Sequence, residues 1–172
     1  MSKKGYVMNL DNMMEELRKY LENSIDLLSG DFVRKNNGYD EMICNILDKL
    51  SVNTSRYWDA CWLDKNIYIE FKKGKSIWLD LVRYSEIKKK VNADARIETI
   101  TLFFIPDVER TRIIHILGLK TSKLIEKLNI SDEDADFIIK LNKIVPRSLN
   151  AQASLTVNDI KEICDFKITK NT

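Results

Sequence analysis

The stretch RYWDACWLDKNIYIEFKKG, residues 56–74, decides the fold. Residues 56–63 are rich in aromatics and alternate in polarity. A polar break follows at Asp64, Lys65 and Asn66, and residues 67–72, IYIEFK, alternate again. Two alternating runs separated by a short polar break predict a β-hairpin, and Gly74 closes it. Side chains two apart on a strand share a face, so Ile67, Ile69 and Phe71 point into a core. Tyr68, Glu70 and Lys72 point the other way, to a face that meets something polar. Asp59 sits on the partner strand. A loop of two or four residues sets Asp59 opposite Glu70 or Lys72, on their face. A three-residue loop without a bulge sets it opposite Phe71, on the wrong face.

Upstream, residues 10–29 carry Leu10, Met13, Met14, Leu17, Leu21, Ile25 and Leu28 at helical spacing, with Gly30 as the stop. A second amphipathic helix is expected over 39–50. Downstream, KSIWLDLVRYSEIKKKV predicts a helix with Ser76 as its N-cap. Residues 96–105, RIETITLFFI, are apolar on both faces, as a buried central strand requires, and Pro106 ends it. Residues 109–128 read as one or two helical pieces with a break near Gly118, and a strand through RIIHIL stays open. Ser131 starts a helix that stops before Pro146, and Thr156 caps a short last one. The expected fold class is α/β: a small mixed central sheet flanked by helices, in a single domain over residues 1–172.

Composition bounds the function. The chain has 172 residues, 44% hydrophobic and 31% charged, with a net charge of +2. A nucleic-acid role therefore has to come from local clustering of cations, since bulk charge does not argue for one. No run approaches the roughly 18 apolar residues of a membrane span, and MSKKGYVMNLDNM lacks the apolar segment of a signal peptide. A cytoplasmic protein without a membrane partner is expected. Cys44, Cys61 and Cys164 are widely separated and fit buried thiols better than a zinc site or a disulfide framework. His115 is the only histidine and lies in an apolar run, which argues against histidine-based triads.

Two carboxylates and an amine on one face have a chemical use. Neighbouring carboxylates repel, and a hard cation such as Mg²⁺ relieves that repulsion through oxygen ligands. The Phe71 carbonyl is a further candidate ligand. Bound Mg²⁺ polarises a phosphate oxygen and lowers the pKa of a water. Lys72 has three candidate roles: orienting the water, accepting its proton, or stabilising charge on the phosphorane.

The spacing Asp59-x(10)-Glu70-x-Lys72 resembles the PD-(D/E)XK nuclease superfamily, over residues 59 to about 105 with a fitting helix upstream. The resemblance implies a core of helix, hairpin, third strand, helix and fourth strand. It implies that Asp59 and Glu70 bind Mg²⁺ and that these two act with Lys72 to hydrolyse DNA. The chain departs from the pattern in having Tyr57 and Trp58, not proline, before Asp59. Some members carry a Gln-x3-Tyr pair in the next helix, where this chain has Asp80 and Tyr84. Members often add an acid from the helix before the hairpin; Glu41 is the candidate, with Asp40 and Asp48 as rivals.

Lys73 and Lys75 are candidate phosphate contacts. The run Lys88, Lys89 and Lys90 complements the C-terminal dipole of its helix. Trp58, Trp62 and Trp78 are expected in the core. The polar stretches NTSRY and RSLNAQAS are candidate base-reading loops. A compact chain of this kind is most similar to a type II restriction endonuclease acting as a homodimer on double-stranded DNA. The alternatives are a structure-specific endonuclease of the Holliday-junction resolvase kind and a catalytically inactive DNA-binding or assembly subunit.

Overall fold

A computed structural model of the chain describes residues 9–55, 57–62, 67–94, 98–144 and 151–170. The start of the N-terminal segment, Arg56 of NTSRY, residues 63–66, the beginning of RIETITLFFI and the first half of RSLNAQAS lie outside these residues.

Helix α1 (Leu10–Ser24) starts at Asn9, whose side chain accepts the Asp11 N–H, and buries Met14, Leu17 and Leu21. A 3₁₀ turn (Ile25–Leu27) continues it. Helix α2 (Tyr39–Ile46) ends earlier than its apolar pattern suggests, because the chain turns into strand β1 (Leu50–Val52). The expected hairpin follows as β2 (Ala60–Trp62) and β3 (Ile67–Lys73), antiparallel, with Trp62 paired to Ile67 and Ala60 to Ile69.

The expected helix from Ser76 opens as a strand. Residues Ser76–Asp80 form β4, with Ile77 and Leu79 buried and Ser76, Trp78 and Asp80 exposed. Helix α3 (Leu81–Ala93) begins only afterwards, capped by Asp80, whose Oδ1 accepts the N–H groups of Val82 and Arg83. The alternation of Ile77 and Leu79 fits a strand, and its pairing with β7 carries the chain to Asp80 before the helix can start. The central strand is present as β5 (Glu98–Pro106), parallel to β3. Strand β4 and helix α3 lie in the crossover that a parallel pair requires.

The helical reading of 109–128 is corrected in the same way. Ile113–Lys120 is strand β6, antiparallel to β5, and only Thr121–Lys127 is helical, as α4. Its run IIHILGLK fills an interior sheet position between β5 and β8. Helix α5 (Asp132–Ile144), strand β7 (Gln152–Thr156), helix α6 (Val157–Ile163) and strand β8 (Phe166–Thr169) complete the described chain. A capping box between Thr156 and Asp159 starts α6.

The main sheet has the order β1-β2-β3-β5-β6-β8, and β4 and β7 form a second, two-stranded sheet. The protein is therefore mixed α/β, with the main sheet flanked by helices. One core lies between that sheet and α1 and α2, built on Leu17, Leu21, Ile69, Phe71 and Phe104. The other holds Leu79, Tyr84, Ile87, Phe103, Leu117 and Leu124 under α3, α4 and the small sheet. Trp58 and Trp62 are in the core as expected, but Trp78 is 58% exposed on β4. Among the described residues no helix is long and apolar enough to cross a membrane. The three cysteines are free thiols.

Gly118 is paired to Phe166 across β6 and β8, and a β-carbon there would run into the Phe166 ring. Gly118→Ala is therefore expected to destabilise the protein by about 1–3 kcal/mol, the cost of overpacking a rigid core. A lower midpoint in denaturant unfolding at unchanged m-value checks this; an unchanged midpoint contradicts it.

Candidate metal-dependent active site

The gap between paired Trp62 and Ile67 is four residues, 63–66, which is the even spacing the shared-face geometry needs. The β2–β3 pairing ends at Ala60 and Ile69, and Asp59 comes next to that same Ile69, as a bulge allows. The Asp59 N–H donates to the Ile69 carbonyl at 2.9 Å. On its other side Asp59 still follows the β1–β2 register, the Asn53 N–H donating to its carbonyl at 2.9 Å. Alternate residues of a strand aim their backbone groups at the same neighbour. Phe71, two beyond Ile69, thus aims its N–H and C=O where β2 has already ended. The Asp59 carboxylate replaces the missing strand: its Oδ2 accepts the Phe71 N–H at 2.7 Å. The Phe71 carbonyl faces the same place, with the Tyr39 hydroxyl donating to it at 3.4 Å.

Glu70 is not on an open surface. It is 0% exposed, and Arg83 of α3 reaches it. Its Oε1 takes two cations, Lys72 Nζ at 2.7 Å and Arg83 Nη1 at 2.7 Å. Its Oε2 is buried without a hydrogen-bond partner. An ionised carboxylate oxygen removed from water and left unpaired is costly, and such an atom calls for a ligand.

The electrostatics point the same way. Burial first, and then the Glu70 charge, push the Asp59 carboxyl up to about 7. The Phe71 N–H, Arg83 and Lys72 pull it back only in part. Burial and then the charges of Asp59, Glu70 and Asp40 hold the Tyr39 hydroxyl well above its ordinary range, so it stays a donor. Burial, aided by Asp40 and Asp59, also raises Cys44, to about 12, which keeps it a thiol. Burial opposes the Arg83 charge, but the Glu70 carboxylate outweighs it and holds the guanidinium above its usual value.

Hard oxygen donors that repel one another, with one buried oxygen unpaired, fit a hard divalent cation. Asp59, Glu70 through Oε2 and the Phe71 carbonyl would hold it. Among the described residues no group of three or more His, Cys, Asp and Glu side chains is arranged to hold a metal, so the set has two carboxylates and a carbonyl.

Other expected site residues fall elsewhere. Glu41 is exposed on α2, and none of the described interactions joins it to Asp59 or Glu70. Asp40 is the acid of α2 that acts on the same groups as Asp59, namely Tyr39 and Cys44. Asp48 accepts from the Tyr20 hydroxyl at 2.9 Å. Asp80 is the cap of α3, and Tyr84 is fully buried in the core. The Lys73 ammonium donates to the Val33 carbonyl at 2.8 Å and stands 5.0 Å from the centre of the Tyr39 ring. Lys75 is exposed. Lys88 and Lys89 tie α3 to α5 through Asp132 and Asp136, and Lys90 lies over the Tyr57 ring.

Arg83 is the member of this cluster that sequence reasoning missed. It occupies the first turn of α3, where the helix dipole disfavours a cation. A cation in that place signals a carboxylate partner from another element. No protein-family model and no curated protein matches this chain.

Proposed function

We propose that the protein is a Mg²⁺-dependent endodeoxyribonuclease that hydrolyses phosphodiester bonds in double-stranded DNA, of the type II restriction kind. The observation that carries the reading is the convergence of Asp59, Glu70 and Lys72 at the edge left where β2 ends, with Glu70 Oε2 buried and unpaired. When bound, Mg²⁺ supplies charge to polarise a phosphate oxygen and to acidify a water.

The protein's own groups do the rest. Glu70 Oε1 fixes Lys72 and Arg83 side by side. Two positive groups held there are poised to stabilise the charge that builds on phosphorus as water adds and the bond to the leaving oxygen breaks. Both cations are preorganised by a buried carboxylate, so little reorganisation is needed when the charge develops. Tyr39 holds the Phe71 carbonyl from behind. One site cuts one strand, so severing a duplex at one position requires two copies of the site, and the proposal includes a homodimer.

The test is incubation of the purified protein with linear duplexes and with four-way junctions, with Mg²⁺ and with EDTA. The restriction reading expects cuts at one defined sequence in linear duplex, in Mg²⁺ only. Cutting confined to junctions without sequence preference moves the assignment to a resolvase. Lys72→Ala is expected to slow cleavage by about a hundredfold or more while leaving duplex binding within a few-fold. Cleavage by Lys72→Ala at the wild-type rate contradicts the role given to Lys72.

A further inference from the structure

Two clefts meet at Lys75. One, of about 390 Å³, runs between β6 and the start of α6 and is lined by Lys75, His115, Asn158 and Lys161 among others. The other, of about 320 Å³, is lined by Asn36, Lys73, Lys75 and Arg110 among others. Every charged residue lining either cleft is basic. Lys167 stands next to the first on β8, two residues from Thr169, the cross-strand partner of His115.

Pairing sets these cations apart. Lys88, Lys89, Lys120, Lys123 and Lys170 are each matched to an aspartate. Among the described ion pairs none involves Lys75, Arg110, Lys161 or Lys167; all four are exposed, and Arg110 keeps only a long 3.5 Å contact to the Arg34 carbonyl. A chain whose net charge is only +2 thus gathers unneutralised positive charge in adjoining concave surfaces, where low-dielectric walls focus the field. The strip also starts at the candidate active site. Lys72 belongs to that site, Lys73 is the last residue of β3, and the chain turns at Gly74 (φ 131°) straight to Lys75.

We propose that Lys75, Lys161 and Lys167, with Arg110 at the opposite end, form a track that holds the phosphate backbone of double-stranded DNA leading away from the Asp59–Glu70–Lys72 site. The choice of DNA as the polyanion rests on the function proposed above; the concentration of unpaired cations does not. Lys73 is the pin of this strip, not a contact, because its ammonium is already held by the Val33 carbonyl. The track reads charge spacing and carries no sequence choice.

The test is binding of a short fluorescent duplex in EDTA, so that cleavage contributes nothing, over a range of salt concentrations. The variant Lys75→Gln/Lys161→Gln/Lys167→Gln is expected to flatten the slope of log affinity against log salt by about 0.9 per lysine and to weaken binding at low salt on the order of tenfold. The control Lys127→Gln/Lys140→Gln/Lys143→Gln removes the same charge from exposed positions on α4 and α5 and is expected to keep the wild-type slope. The track is overturned if the first variant keeps the wild-type slope, if the control loses as much, or if the wild type binds no duplex. Binding through the track without Mg²⁺-dependent cutting overturns the nuclease reading and leaves the track standing. Cutting that survives unchanged in a variant with the wild-type salt slope does the reverse.

Discussion

Glu70→Ala is expected to reduce Mg²⁺-dependent DNA cleavage by about a thousandfold or more, which corresponds to about 4 kcal/mol of lost transition-state stabilisation. The same substitution is expected to cost about 3 kcal/mol of folding stability. The reason is the crowding on Oε1. Lys72 and Arg83 both point at that oxygen at 2.7 Å, and Glu70 is fully buried. Removing the carboxylate leaves two cations facing each other without their counter-charge. Breaking one partner of a buried pair costs roughly 3–5 kcal/mol, and the lower end applies because Lys72 and Arg83 retain 17% and 30% exposure. Denaturant unfolding and a nicking assay on the same preparations measure both effects. A fully stable Glu70→Ala protein would mean that the double ion pair is not a structural element.

Asp59→Asn is expected to do the opposite to stability while also abolishing cleavage. The folded-state pKa of Asp59 is raised to about 7 from an ordinary 3.8. Between those values the folded protein holds a proton that the unfolded chain has released. Stability therefore falls as pH rises through this window, and the whole loss is present above pH 7. Asparagine has no proton to lose and can still accept the Phe71 N–H. In EDTA at about pH 8 the variant is expected to be more stable than the wild type by a few kcal/mol, on the order of one per pKa unit. At about pH 4, near the ordinary carboxylate value, the two should be alike. Adding Mg²⁺ at the higher pH should stabilise the wild type and not the variant, since a ligand stabilises only the state that binds it. Equal stability of the two proteins at the higher pH contradicts the burial and charge repulsion argued for Asp59. Loss of activity coupled to gain of stability is a mark of a site kept under electrostatic strain for function.

The placing of Glu70 and Lys72 together was legible because strand periodicity is short-range. Glu70 and Lys72 share a face by alternation alone, and Asp59 joins them through a hairpin whose polar break is visible at residues 64–66. Central strand β5 was legible from the two-sided apolar run that a covered strand requires. The segment SIWLDLV was not, because Ile77 and Leu79 satisfy a period of two while Ile77, Trp78 and Leu81 satisfy a helical one. Tertiary pairing of β4 with β7 decides between them. The run IIHILGLK posed the same ambiguity, settled by its place between β5 and β8. Burial of Glu70 and its pairing with Arg83 depend on where α3 is placed, which no local pattern encodes. Arg83 becomes legible only once Asp80 is read as the cap, which puts a cation in the first helical turn.

The most direct test of the account is one gel. Supercoiled and linear duplex DNA are incubated with wild type and with Glu70→Gln, each in Mg²⁺ and in EDTA, after unfolding curves have shown both proteins to be folded. Cleavage by the wild type in Mg²⁺ alone is expected, with none by Glu70→Gln in either condition. Equal cleavage by both proteins, or no Mg²⁺-dependent cleavage by the wild type, contradicts the assignment of Asp59, Glu70 and Lys72 as a phosphodiester-cutting site.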